Sequence, residues 1–295
     1  MIHGTTRNES MAGEQYERCD DHALDDNLRE FDWHKCDDAT WRRPTSSGCA
    51  ELRVVRETAA WRRFDISGGA ITLPTPGRYL HENGLLAGPI KYAVSARGDV
   101  RCRGDLPQAV ENSDDHASLP GLITAESHNV QWVRAITQLV DGRVPGPGQS
   151  IDLDRLVEHL TQSGRSASRD GDRVLIHFHL PGAFGQIRFE HDPRVGPRLA
   201  ADLLSLPGRR SHFLRAALRL ASEANWRLPL VRFALGATQP SVLSCEVCFG
   251  NALIPSVWLT VALETVEAAM SLTLRELQAL RDPTLARLLV AVSTA

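Results

Sequence analysis

Two histidines one residue apart, His177 and His179, sit in the apolar run Val174 to Leu180. A strand there puts both imidazoles on one face and Phe178 on the other. Imidazoles so placed can ligate a metal or relay a proton, and His191 and Asp192 follow after the next turn as further candidates. That chemistry is a metal-dependent hydrolase acting through His177, His179 and Asp192. It needs convergent geometry that a lone pair does not supply, and strand histidines also satisfy ordinary hydrogen bonds. Cys245 and Cys248 form a second suggestive pair. In the strand pattern Val242 to Phe249, however, positions three apart face opposite sides, and the helix N-terminus and electropositive setting of a reactive thiol pair are missing. Two buried structural cysteines are the better reading.

The remaining chemistry-bearing groups are looser. Cys19, His22, His34 and Cys36 have zinc-ligand types, but they lie in an acidic stretch poor in packing residues, with Asp20-Asp21, Asp25-Asp26 and Asp37-Asp38. Residues 1–39 therefore read as a solvated, flexible acidic leader. Arg62-Arg63, Arg101 with Arg103, and Arg209-Arg210 can form a protein-facing rim, and no interleaved aromatics make them a nucleic-acid platform. Gly68-Gly69 supplies a turn and lacks the rest of a phosphate-loop signature. Trp132, Trp226, Arg232 and Trp258 are the residues assigned here to partner binding. Each tryptophan also lies beside a packing period that suits a core.

The elements that must position these groups come from a chain of 295 residues, 42% hydrophobic, with 33 Lys and Arg against 36 Asp and Glu. The length allows one large domain or two ordinary ones. A net charge of −3 gives no drive toward nucleic acid or anionic lipid. There is no apolar run long enough to span a membrane and no apolar leader. Six cysteines do not make a disulfide framework. A soluble cytoplasmic protein, without cofactor or metal, is the expectation.

Taken in order, strands are expected at 51–58, 61–66 and 70–73, followed by a hairpin of 89–94 and 99–103 around Arg97-Gly98. Residues 108–122 read as an exposed loop. Asn129 precedes a helix through Val130, Val133, Ile136 and Val140, stopped by Gly142. Glycines and prolines then mark a linker at 145–150 between a module at 40–144 and another at 151–295. Asp152 caps a helix carrying Leu153, Leu156 and Leu160. Strands at 174–180 and 186–190 follow, and Leu199, Leu203 and Leu204 suggest a short helical or irregular bridge. Ser211 caps a helix ending near Asn225. Strands at 228–235 and 242–249 form a second hairpin, and Ser256 opens an apolar helix. Thr273 to Glu276 resembles a capping box that interrupts it. Asp282-Pro283 starts a final docked helix.

Both halves run through strands, a hairpin and a closing helix, and Pro89-Ile90-Lys91-Tyr92-Ala93-Val94 matches Pro229-Leu230-Val231-Arg232-Phe233-Ala234 in order. Arg101-Cys102-Arg103 takes the place of Cys245-Glu246-Val247, and Trp132-Val133 that of Ala262-Leu263. Through Ala221 to Leu280, above all Asn225, Leu230 to Phe233 and Val242 to Phe249, the chain resembles the YbjN-like families, whose fold is related to type III secretion chaperones. Residues 45–144 would be a duplicate. The resemblance implies an α+β fold of two tandem modules, each an antiparallel β-sheet covered by helices, and a role in binding another protein. The expected function is a non-enzymatic protein-interaction factor, chaperone-like or regulatory, with a homodimer as one way to cover an open sheet face. The hydrolase and a structural oligomer component are the rivals.

Overall fold

The computed structural model describes residues 21–58, 61–75, 78–86, 88, 90–95, 97–107, 125–143, 151–180, 183–192, 195–206, 211–235, 241–249 and 256–291. The expected loop at 108–122, the linker at 145–150, Cys19 and Arg209-Arg210 lie outside these residues. The N-terminal module runs α1 (Asp21–Glu30), β1 (His34–Asp37), β2 (Thr40–Thr45), β3 (Gly48–Glu57), β4 (Trp61–Gly68), α2 (Tyr79–Asn83), β5 (Ile90–Val94), β6 (Val100–Pro107) and α3 (Ala125–Val140). The C-terminal module repeats that order as α4 (Leu153–Gln162), β7 (Ser166–Asp170), β8 (Arg173–Leu180), β9 (Ala183–Asp192), β10 (Gly196–Ser205), α5 (His212–Arg227), β11 (Arg232–Leu235), β12 (Val242–Cys248) and α6 (Ser256–Ala279), then adds α7 (Pro283–Ala291). Each sheet is antiparallel and six-stranded, in the orders β1-β2-β3-β4-β6-β5 and β7-β8-β9-β10-β12-β11. The fold is α+β in two tandem modules. Among the described residues no helix is long and apolar enough to cross a membrane.

Alternation along the strands decides which face each sheet buries. In β4 Phe64 and Ile66 point to the core while Arg63 and Asp65 point away, and the paired β6 repeats this with Cys102 and Gly104 inward and Arg103 and Asp105 outward. Helices α1 and α3 close the first core, where Trp132 of α3 packs on Phe64 with ring centroids 4.9 Å apart. In the second, Leu156 and Leu160 of α4 and Leu259, Leu263 and Val266 of α6 are buried with Ile176, Ile187 and Leu199 of the strands. Gly104 is required here: a Cβ on it would lie 2.9 Å from Trp132 Cζ2.

Several caps follow the sequence. The Asp152 carboxylate accepts from the amides of Asp154 and Arg155, and Ser211 Oγ accepts from the Leu214 amide at 3.0 Å. Asp282 accepts from the Thr284 amide at the start of α7.

Other expectations are corrected. The flexible leader at 1–39 does not hold from residue 21 onward, and the N-terminal module starts well before residue 40. Leu24, Leu28 and Trp33 are buried, and Trp33 Nε1 donates to Thr137 Oγ1 at 2.9 Å. Asp25 works structurally, accepting from Trp41 Nε1 and Lys35 Nζ. A few large apolar side chains at helical spacing outweigh the acidic composition.

The supposed bridge around Leu199 is the central strand β10. Its first six residues, Gly196 to Ala201, are all buried, so that stretch lacks the alternation that marks a half-exposed strand, and a bulge between Asp202 and Leu204 breaks the period of the rest. The strand expected at 70–73 has no ladder partner, the polar 166–170 forms β7, and α6 runs unbroken through Thr273.

Candidate interaction site

The helices of each module cover one sheet face. The opposite face is polar, and its inner half is covered by the other module. In the first sheet that half carries Arg63, Lys91, Arg103 and Asp105, all buried. The C-terminal end of α5 descends on them. Its last carbonyls have no partner within the helix and carry the negative end of its dipole. Arg63 donates to the carbonyls of Trp226 at 3.0 Å and Leu228 at 2.9 Å. Arg103 also donates to the Trp226 carbonyl, and its guanidinium lies 3.6 Å from the centroid of the Trp226 ring. Lys91 Nζ reaches the carbonyls of Leu228 and Val231.

Asp105 is the hub of these cations. It pairs with Arg63 at 2.6 Å and Lys91 at 3.0 Å, and accepts from the Leu230 amide at 2.8 Å. Leu230 adopts a positive φ of 62°, a costly conformation for a γ-branched residue that turns its amide toward the carboxylate. Burial pushes the Asp105 carboxyl up, but Lys91 and Arg63 outweigh it and hold the group below its ordinary range. For Lys91 burial dominates, against the pull of Asp105, and lowers the ammonium to about 8.

The second sheet mirrors this. Arg232 donates to the carbonyls of Leu86, in the loop leaving α2, at 2.7 Å and of Ile90, the first residue of β5, at 3.3 Å. Arg232 and Arg198 share Glu246, at 3.3 and 3.5 Å. Two asparagines complete the joint. Asn83 accepts from the Tyr92 amide and donates to the carbonyls of Tyr92 and, across the boundary, Phe233. Asn225 makes the same pair of bonds to Phe233.

The residues assigned to partner binding are therefore placed differently from expectation. Trp132 and Trp258 are core residues, 2% and 4% exposed, and Arg232, 2% exposed, is consumed by the module joint. Trp226 is partly exposed and holds Arg103. None of the four forms an open docking surface. Lys91, Asp105, Asn83, Arg198 and Glu246 were not singled out by sequence. The signal was an asparagine eight residues before Lys91-Tyr92-Ala93 and another seven before Arg232-Phe233-Ala234.

Among the described residues no element covers the outer half of each polar face, on β1 to β3 and β7 to β9. On the second sheet His177, His179 and Gln186 are exposed, with Leu175, Arg188 and Glu190 partly so. Arg188 makes a bidentate pair with Asp202 at 2.8 and 2.7 Å. His177 and His179 share that face as alternation requires, while Asp192 turns to Arg198 at 3.6 Å and to the Val195 amide. Among the described residues no group of three or more His, Cys, Asp or Glu is placed to hold a metal. Cys245 and Cys248 are both buried, with burial raising both thiols, Cys248 to about 11. Comparison with protein-family models, curated proteins and solved structures returned no match.

Proposed function

We propose that the chain is a non-enzymatic protein-interaction factor, chaperone-like or regulatory, whose outer sheet faces receive a partner polypeptide. The observation that carries this reading is the uneven covering of the polar faces. Their inner halves are sealed by the module joint, while β7 to β9 present a broad strip of exposed and partly buried side chains over which no element of the described residues lies. Leu175 and the imidazoles supply contact area, and the Arg188–Asp202 pair with Glu190 supplies a polar rim suited to a peptide backbone and its side chains.

The repeated element order supports the resemblance to YbjN-like and type III secretion chaperone-like folds as part of this proposal; fold alone does not assign activity. The joint uses, within one chain, the surface through which a single module would dimerise, so a monomer is proposed in place of a homodimer. Exposed thiols at Cys36 and Cys49 suit a reducing cytoplasm.

The test is site-specific photo-crosslinking in the source cells, with a photoreactive residue at His179, at Arg188 and, as control, at exposed Arg29 on α1. Crosslinks to one polypeptide at the first two positions and not at the third support the reading. Crosslinks confined to the control, or none at the sheet face in cells where the protein is abundant, sink it.

A further inference from the structure

A cavity of about 500 Å³ opens between the start of α5, the end of β10 and the turn joining α6 to α7, away from the sheet face considered above. Its walls include Leu204, Phe213 and Leu280, and His212, Arg281 and Arg287 line it as well. Among the described residues no carboxylate lines it. The nearest in sequence, Asp282, accepts from the Thr284 amide at 2.7 Å and so caps its own helix. Arg281 and Arg287 are exposed and form no ion pair with any described residue. Arg165, Arg169, Arg173, Arg188, Arg198 and Arg219 of this module each pair with a carboxylate, and of the exposed arginines without such a pair among the described residues, Arg281 and Arg287 line the cavity while Arg215, Arg227 and Arg275 do not.

An apolar pocket lined by unpaired guanidinium groups matches one ligand chemistry. We infer that this cavity is a binding site for an apolar carboxylate, whose chain lies on Phe213, Leu204 and Leu280 and whose head group takes charge-assisted hydrogen bonds from Arg281 and Arg287. The volume lies within the range of small-molecule sites, which are mostly apolar with a few placed polar groups. Ser211 Oγ is already engaged by the Leu214 amide, so the arginines, with His212, provide the donors. A medium-chain fatty carboxylate and the C-terminal carboxylate of a peptide ending in an apolar residue share this chemistry.

The experiment is isothermal titration of the full-length protein with octanoate, octanol and octylamine, and with a short peptide ending in phenylalanine as its free acid and as its amide. Octanoate or the free-acid peptide should bind with one-to-one stoichiometry, and the neutral and cationic analogues at least about tenfold more weakly, the scale of one charge-assisted hydrogen bond. The variant Arg281→Gln/Arg287→Gln alters only exposed groups and should lose about tenfold or more in affinity with its melting transition unchanged; Phe213→Ala should weaken chain binding in the same assay. Binding of octanoate alone identifies a fatty carboxylate, and of the free-acid peptide alone a chain terminus. Absence of saturable binding by either, or binding that ignores the arginine substitutions, overturns the site. Because the probes do not involve the strip on β7 to β9, failure here leaves the crosslinking result independent.

Discussion

Lys91 and Arg232 occupy equivalent positions in the two sheets and each holds the other's module. Lys91 Nζ donates to the carbonyls of Leu228 and Val231, and Arg232 donates to those of Leu86 and Ile90. Counted from Asn83 and Asn225, Leu86 and Leu228 correspond; Ile90 and Val231 correspond as the residues just before each cation. The exchange is thus reciprocal, the signature of a two-fold interface built inside one chain. The ladders extend the match. Tyr92 faces Cys102 as Phe233 faces Cys245, and Arg63 faces Asp105 as Arg198 faces Cys248. Arg198 and Arg232 keep the places of Arg63 and Lys91 while the acid moves, from the position of Asp105, held by Cys248 in the second sheet, to Glu246 two residues earlier on the strand and on the same face, where a longer side chain reaches both arginines.

Asp105 is the residue whose loss should be felt most. Asp105→Ala leaves Arg63 and Lys91 buried without their counter-ion and frees the Leu230 amide. Breaking a buried pair from one side costs about 3–5 kcal/mol. Asp202→Ala, which removes the half-exposed partner of Arg188, should cost less than about 1 kcal/mol. Urea unfolding measures both. Equal losses would mean that the joint is hydrated and contributes little.

Glycines 104 and 185 should resist even a methyl group. A Cβ at Gly185 would stand 2.2 Å from the Phe178 ring, and at Gly104 2.9 Å from Trp132. Both rings are buried and held by packing. Overpacking of this kind costs about 1–3 kcal/mol. Gly104→Ala should be partly rescued by Trp132→Phe, so the double variant should be more stable than the sum of the single effects. Strict additivity in thermal unfolding would show that Trp132 is not the obstacle.

The α+β class, the hairpins and the helix caps at Asp152, Ser211 and Asp282 are legible because each rests on local spacing or a local hydrogen bond. The repeat is legible in outline, but matching Pro89 with Pro229 slips it by one: Lys91 corresponds to Arg232, not to Val231, because the loop from Asn83 is one residue longer than that from Asn225. The joint was hidden for a different reason. Charged residues on strands read as solvent-facing, and only the docking of α5 and α2 buries Arg63, Lys91, Asp105 and Arg232. Conversely, Trp132 and Trp258 suggested a surface because tryptophan serves interfaces and cores alike. Strand β10 was lost because burial of all its first six residues erases their alternation.

The cysteines should divide by exposure. Cys36 and Cys49 are exposed, whereas Cys102, Cys245 and Cys248 are buried and burial raises all three thiols, Cys102 to about 12. The thiolate is the reactive form. Brief alkylation at neutral pH followed by peptide mass spectrometry should label Cys36 and Cys49 and spare the other three until denaturant is added. Rapid labelling of Cys245 or Cys248 in the native protein would restore the redox reading of that pair.

Stability should fall at both ends of the pH range, for opposite reasons. Asp105 has a folded pKa below its unfolded value near 3.9. Its contribution is therefore complete above about pH 4 and is lost as pH falls through the folded value. At the alkaline end the three buried thiols have folded pKa values above the unfolded value near 8.5. Unfolded chains lose these protons first, so stability drops from about pH 8.5 upward, by about 1.4 kcal/mol per pH unit for each fully mismatched group. Lys91 works against this. Its folded pKa of about 8 lies below the unfolded value near 10.4, so the cost of burying its charge is present below about pH 8 and relieved as pH rises toward 10.4. Lys91→Met removes that relief, so the alkaline decline should be steeper in the variant than in the native chain. Urea midpoints from pH 7 to 10 test this; parallel profiles would show that Lys91 titrates as an ordinary exposed lysine.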